Sequence, residues 1–188
     1  MTETATTARV PQANAVVSPA YFAHVVFYTR RFAEMTAWYR TVLGADVTMQ
    51  GEGIAFLTFD REHHRVAIIR RDDLADAPAE ALGFAHAAWT YASLADLVAT
   101  YERLAGEGIR PVRQINHGPT TSVYYADPDG NRIELQVDNF PSVEALNRWF
   151  ASGAFDRDPI GVEIEFADIC RRYHAGEPEP ELLRPLSV

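Results

Sequence analysis

Two histidines and one glutamate carry the chemistry this sequence offers. His24 and His86 stand at matching places in Tyr21-Phe22-Ala23-His24 and Gly83-Phe84-Ala85-His86, 62 residues apart. Glu134 lies in Arg132-Ile133-Glu134-Leu135-Gln136-Val137, where Ile133, Leu135 and Val137 alternate with polar residues. That alternation describes a half-buried strand with Glu134 projecting from its second face. Taken singly, each residue has a plain reading. A strand histidine is usually a satisfied or surface imidazole, and a strand glutamate usually meets water. Taken together, two imidazoles and a carboxylate converging from three strands suit a divalent metal with open coordination positions, Fe(II) above all, although Mn(II) accepts the same donors.

The elements that would bring these residues together form an internal repeat. In the first copy a strand over 21–29, rich in β-branched and aromatic residues, leads to a helix over 31–43. Phe32, Met35, Trp38, Tyr39 and Val42 recur there at helical spacing, and Gly44 supplies the stop. Strands follow at about 46–50, 54–59 and 65–70. The second copy repeats the order, with strands at about 110–115, 120–126 and 132–137. Asp127-Pro128-Asp129-Gly130-Asn131 makes its last tight turn. Tyr39 and Tyr101 keep the same 62-residue offset as the histidines.

The expected fold is therefore α+β: two tandem βαβββ modules related by pseudo-twofold symmetry, forming a curved mixed sheet around a metal cavity. The expected division is a flexible leader over 1–18, a domain over 19–140 with modules 19–71 and 83–140, and a partly helical extension over 141–188. An acidic, alanine-rich linker at 71–82 joins the modules. In the extension, Val143, Leu146, Trp149 and Phe150 form one helical stripe and Ile169 with Tyr173 another; such stripes are more often core or subunit contact than a cofactor box.

The repeat also bears on the number of ligands. Arg65-Val66-Ala67 aligns with Arg132-Ile133-Glu134 at an offset of 67, so Ala67 is the counterpart of Glu134. Alanine cannot coordinate. Three protein ligands leave room for substrate and oxygen, whereas four suit an enzyme that uses its metal mainly as a Lewis acid.

Composition narrows the remaining classes. A net charge of −9 disfavours nucleic-acid binding, which depends on neutralising phosphates. Cys170 is the single cysteine, so neither a disulfide framework nor a thiolate cluster is available. No apolar run approaches the ~20 residues that span a bilayer. The opening Met-Thr-Glu-Thr-Ala-Thr-Thr lacks the basic and apolar regions of a signal peptide. The expectation is a soluble, cytoplasmic protein with neither a nucleic-acid nor a membrane partner.

The doubled module with His24, His86 and Glu134 resembles the vicinal oxygen chelate superfamily of glyoxalases, bleomycin-resistance proteins and type I extradiol dioxygenases. Three segments are similar to the dioxygenases in particular. They are Ala55-Phe56-Leu57 leading to His63-His64-Arg65-Val66-Ala67, then Asn116-His117-Gly118, and Tyr124 ten residues before Glu134. The similarity covers about 20–140, and the extension looks like that of the one-domain forms.

The resemblance implies a non-haem Fe(II) extradiol dioxygenase. Such an enzyme opens a catechol-type ring beside the diol with O2 as co-substrate and gives a muconic semialdehyde-type product. It also implies a small aromatic diol as partner and a homo-oligomer, a dimer or larger, with the Trp149–Phe150 helix as candidate contact. A histidine matching His64 handles protons near oxygen in the family, and a tyrosine matching Tyr124 hydrogen-bonds substrate. His117 lies a couple of residues from where a second base is expected.

Plain readings stand beside these roles. Alternation counted back from Ala67 points His63, not His64, at the cavity unless a bulge intervenes. Tyr124 also reads as a sheet tyrosine with a buried hydroxyl, and His117 as a loop histidine. An apolar pocket is expected from Phe22, Val26 and Tyr28 beside His24, and from Phe84, Ala88 and Thr90 beside His86. Two other functions share the sequence signals. One is a metal-dependent isomerase or lyase of the glyoxalase kind, which calls for a fourth ligand. The other is a non-catalytic module that binds an aromatic compound and needs no metal triad.

Overall fold

The computed structural model describes residues 18–75 and 82–186. The expected leader lies outside the described residues except for Ser18, as does the 76–81 part of the expected linker. In chain order the first module comprises β1 (Val25–Thr29), α1 (Phe32–Leu43), β2 (Asp46–Gln50), β3 (Ile54–Thr58) and β4 (Val66–Arg70). The second comprises β5 (Ala87–Thr90), α2 (Leu94–Gly106), β6 (Arg113–Asn116), β7 (Thr120–Ala126) and β8 (Arg132–Asp138). The C-terminal part adds α3 (Val143–Ala151), α4 (Ala154–Arg157), β9 (Val162–Glu163), α5 (Phe166–His174) and α6 (Glu179–Leu182).

Each helix forms for local reasons and is then held by its apolar face. In α1, Met35, Tyr39 and Val42 are buried. Gly44, at φ 60°, takes the left-handed turn that ends the helix and returns its amide to the Arg40 carbonyl. In α2, Ser93 caps the first turn by accepting from the Asp96 amide, and Leu94, Leu97, Val98 and Leu104 enter the core.

Hydrogen bonding divides the strands into two mixed sheets, ordered β1-β4-β3-β2 and β5-β8-β7-β6-β9. In both, the first strand of the module runs parallel to the last, and the other pairs are antiparallel. This α+β architecture is the expected pair of βαβββ modules, with two differences. β1 and β5 begin one residue after the histidines, so His24 and His86 lead into their strands instead of standing within them. The extension also lends β9 to the edge of β6, pairing Ile115 with Glu163 and Asn116 with Val162. A two-residue strand has no periodicity to read in a sequence, yet it covers part of an otherwise unpaired edge.

The modules are joined by polar contacts around a shared core. Arg103 Nη1 on α2 donates to the Thr41 carbonyl at the end of α1 (2.7 Å), and Arg31 Nη1 donates to the Pro128 carbonyl (2.6 Å). At the centre of the contact the buried Asp127 carboxylate accepts from the Asp129 and Asn131 amides and from Asn131 Nδ2, each at 2.9 Å. It also accepts from the fully buried Tyr39 hydroxyl at 3.0 Å. One side chain thus shapes the β7–β8 turn and fastens it to α1. Burial, reinforced by the charge of Asp127, pushes the Tyr39 phenol far above its ordinary value, so it stays a donor.

Tyr39→Phe should therefore lower stability by about 2 kcal/mol, the range for a hydrogen bond to a charged group. Asp127→Ala should cost more, about 3 kcal/mol, because it also strands the turn amides and the Tyr39 hydroxyl. Urea unfolding of the two variants beside the parent chain measures both.

Candidate functional site

The site begins with strand register. β5 and β8 run parallel with Ala88 beside Glu134, two residues beyond His86. β1 and β4 repeat the arrangement with Val26 beside Ala67, two residues beyond His24. The third strand follows suit, with Tyr124 opposite Glu134 and Phe56 opposite Ala67. Equivalent places thus hold His86, Glu134 and Tyr124 in one module and His24, Ala67 and Phe56 in the other. Ala67 is the counterpart of Glu134, as the repeat implies.

The second module gathers its groups tightly. Glu134 is only 5% exposed, so the solvated reading of this strand residue does not hold. His86 Nε2 lies 2.9 Å from one carboxylate oxygen, and His117 Nε2 lies 3.9 Å from the other. The Tyr124 hydroxyl is 2.9 Å from His117 Nε2. Burial, and then the charge of Glu134, push the Tyr124 phenol well above its ordinary value. The hydroxyl therefore keeps its proton and donates.

The first module gathers a separate group. His64 is buried, stacked on Phe56 with ring centroids 4.2 Å apart and facing His24 at 4.3 Å. Its Nδ1 shares a hydrogen bond with Nδ1 of His63, whose side chain is 71% exposed. Of the two histidines, His64 is the one that faces inward. β4 starts only at Val66, which leaves both histidines in the preceding turn, where strand parity has no meaning. Burial, and then the neighbouring His24 and His63, hold His64 below the ordinary imidazole value. It is neutral near pH 7 and can accept a proton.

Beside His86, His117 and Tyr124 opens a cavity of about 280 Å³. Its other walls are Ala85, Arg113, Arg132, Pro159 and Ile160. The sequence marks neither Arg113 nor Pro159 and Ile160 for a site; the local signal for the last two is the Pro159-Ile160-Gly161 run, with no pattern to tie it to a cavity. The apolar side chains expected to line a pocket instead face solvent: Phe22 is 72% exposed and Phe84 69%, with Val26 and Tyr28 also exposed. The cavity lies between the second sheet and the extension.

Donor chemistry and spacing test whether a divalent ion suits these residues. Two adjacent donors on an ion with bonds of ~2.1 Å stand roughly 3 Å apart. His86 Nε2 and Glu134 have that spacing. A carboxylate this far from water also requires compensation, which a cation beside it provides. His24 has the right donor at the symmetry-related place, but it packs on His64 apart from the other two. Among the described residues no group of three or more His, Cys, Asp or Glu is gathered as a metal centre. The residues fit the ion in kind, and two of the three fit in spacing.

Comparison with known proteins bears on the same stretch. The family described as the Glyoxalase/Bleomycin resistance protein/Dioxygenase superfamily matches residues 21–135. Biphenyl-2,3-diol 1,2-dioxygenase 2 of Rhodococcus globerulus is 44% identical over 158 residues, covering 84% of this chain and 83% of its own. Biphenyl-2,3-diol 1,2-dioxygenase 3 of the same organism is 41% identical over 162 residues, covering 85% of each chain. The crystal structure of lactoylglutathione lyase from Agrobacterium tumefaciens aligns with a TM-score of 0.52 at 20% identity, over 63% of this chain and 94% of that one, a likeness of fold.

If His86 and Glu134 are donors, His86→Ala and Glu134→Ala should each weaken Fe(II) or Mn(II) binding by more than ~100-fold, beyond the usual cost of losing an outer-shell partner. Anaerobic titration calorimetry reads this directly, with Tyr124→Phe as the control that retains binding.

Proposed function

The chain belongs to the Glyoxalase/Bleomycin resistance protein/Dioxygenase superfamily, and from that premise we propose that it is an extradiol ring-cleaving dioxygenase. It opens a catechol-type aromatic ring beside the diol, and both atoms of O2 end in a muconic semialdehyde-type product. The observation that carries this reading is the asymmetry of the repeat, with Glu134 beside Ala88 and Ala67 beside Val26. His24, His86 and Glu134 would hold Fe(II), or Mn(II) through the same atoms. A carboxylate at position 67 would complete a fourth protein ligand, and alanine leaves that position open. The printed names of the two Rhodococcus globerulus relatives support an aromatic diol as the substrate class.

When bound, the ion supplies the electron-transfer chemistry that lets a diol react with O2. The chain's own groups manage position and protons. Tyr124, held protonated, donates its hydroxyl to His117 Nε2 and can redirect it to a diol oxygen entering the cavity. His117 Nε2 then takes up a diol proton. His64, neutral in its stack on Phe56, is the second proton acceptor, on the side of His24. Pro159 and Ile160 add apolar wall to the cavity.

We assign the enzyme to the cytoplasm and to a homo-oligomer, a dimer or larger. α3 is the candidate contact, since it buries none of its residues and leaves Val143 and Phe150 exposed. We take the described residues 141–186 as an extension of the domain at 19–140, since Phe166, Ile169, Cys170, Leu182 and Leu183 join its core.

Oxygen uptake with a panel of catechols after anaerobic Fe(II) loading tests the reaction. Loaded protein that consumes no oxygen with any diol overturns it. His64→Phe should keep its metal while kcat falls by ~10²–10⁴-fold, the usual loss for a proton-transfer group. Stopped-flow absorbance together with elemental analysis of the same sample separates the two effects, and an unchanged kcat removes His64 from the mechanism.

A further inference from the structure

The C-terminal extension converges on one short turn. The Trp149 indole on α3 covers Gly118, where any Cβ would collide with the ring. Gly161, at φ 93°, lies so close to the end of β6 that a Cβ would strike the Asn116 carbonyl and stand 2.6 Å from the His117 Cα. β9 pairs with Ile115 and Asn116 immediately afterwards. The buried Asn116 side chain donates to the Arg184 carbonyl (3.0 Å) and accepts from the Gly118 amide (2.9 Å). Three separate pieces of the extension, Trp149, the 161–163 segment and Arg184, therefore grip Asn116-His117-Gly118.

The turn presents His117 to the cavity, and the extension also touches its ring. The Ile160 carbonyl oxygen lies 2.6 Å from His117 Nδ1. A carbonyl only accepts, so Nδ1 carries the proton, and in the neutral ring Nε2 is left as the bare nitrogen. That nitrogen lies 2.9 Å from the Tyr124 hydroxyl and can accept from it. We propose that residues 159–163 are a positioning strap: the Ile160 carbonyl holds His117 in its Nδ1–H tautomer, and Gly161 permits the close approach this bond needs. Ile160 and Gly161 are positioning residues that act through His117. The strap makes Nε2, the nitrogen beside Tyr124 and Glu134, the proton acceptor. Its consequence for turnover rests on the ring-cleavage reading; the tautomer does not.

The test is long-range proton–nitrogen NMR on the full chain with ring-labelled histidine, no metal added, above the imidazole titration range, with His117 identified by its loss in His117→Gln. The expected pattern is a protonated Nδ1 and a bare Nε2. In Gly161→Ala the signal should move toward the Nε2–H form, and kcat for a cleaved diol should fall ~10-fold or more while KM changes little. An Nε2–H ring in the unaltered chain overturns the strap, whatever the variant does. So does an unchanged tautomer in a Gly161→Ala protein whose near-ultraviolet circular dichroism is native. A chain with the expected tautomer that cleaves no diol supports the strap and counts against ring cleavage alone.

Discussion

A carboxylate almost withdrawn from water is the constraint around which this molecule is arranged. Glu134 lies in the middle of β8 at 5% exposure, in contact with His86 and near His117 and Tyr124. A buried charge is tolerated only where nearby groups compensate it. Two imidazoles and a phenol that stays protonated do that here. The same charge raises the Tyr124 phenol and so keeps its hydroxyl a donor. Removing the carboxylate would therefore loosen the hold on the Tyr124 proton as well as take away one candidate ligand.

Duplication and divergence explain why there is one such cluster and not two. The pairing of first and last strands places positions 24, 67 and 56 as it places 86, 134 and 124. Only the second set contains an acid. In the first module Phe56 stands where Tyr124 stands in the second, and it offers a flat apolar surface on which His64 stacks. Backbone symmetry is retained while side-chain chemistry is divided: one module holds the charged cluster and the other a neutral, buried imidazole. The polar bridge from Asp127 to Tyr39 ties the two modules together through a buried hydrogen bond.

The extension has a different physical role. None of the residues of α3 is buried, yet Trp149 reaches Gly118, and β9 is only two residues long yet caps the edge of β6. Segments that contribute little to the core instead restrict the one turn that carries His117. A turn has few backbone hydrogen bonds of its own, so fixing the ring it carries requires contacts from elsewhere in the chain.

Much of this was legible beforehand because it is local or periodic. The 62-residue offset revealed the duplicated module, alternation marked the second face of β8, and the 67-residue offset identified Ala67 as the counterpart of Glu134, which the register bears out. Turn chemistry announced Asp127 and Gly130, though not the bond from Asp127 to Tyr39 across 88 residues. Strand parity could not choose between His63 and His64, since neither is in a strand. Nothing in the order of residues linked Ile160 to His117, because a backbone carbonyl is the same in every residue and becomes a partner only where the chain has folded back across 43 residues. The amino-acid sequence by itself determined the module, its repetition and the kinds of groups available. Tertiary structure alone decided which of those groups are buried and which nitrogen of each ring is engaged, because burial and hydrogen-bond partners arise from contacts between segments far apart in the chain.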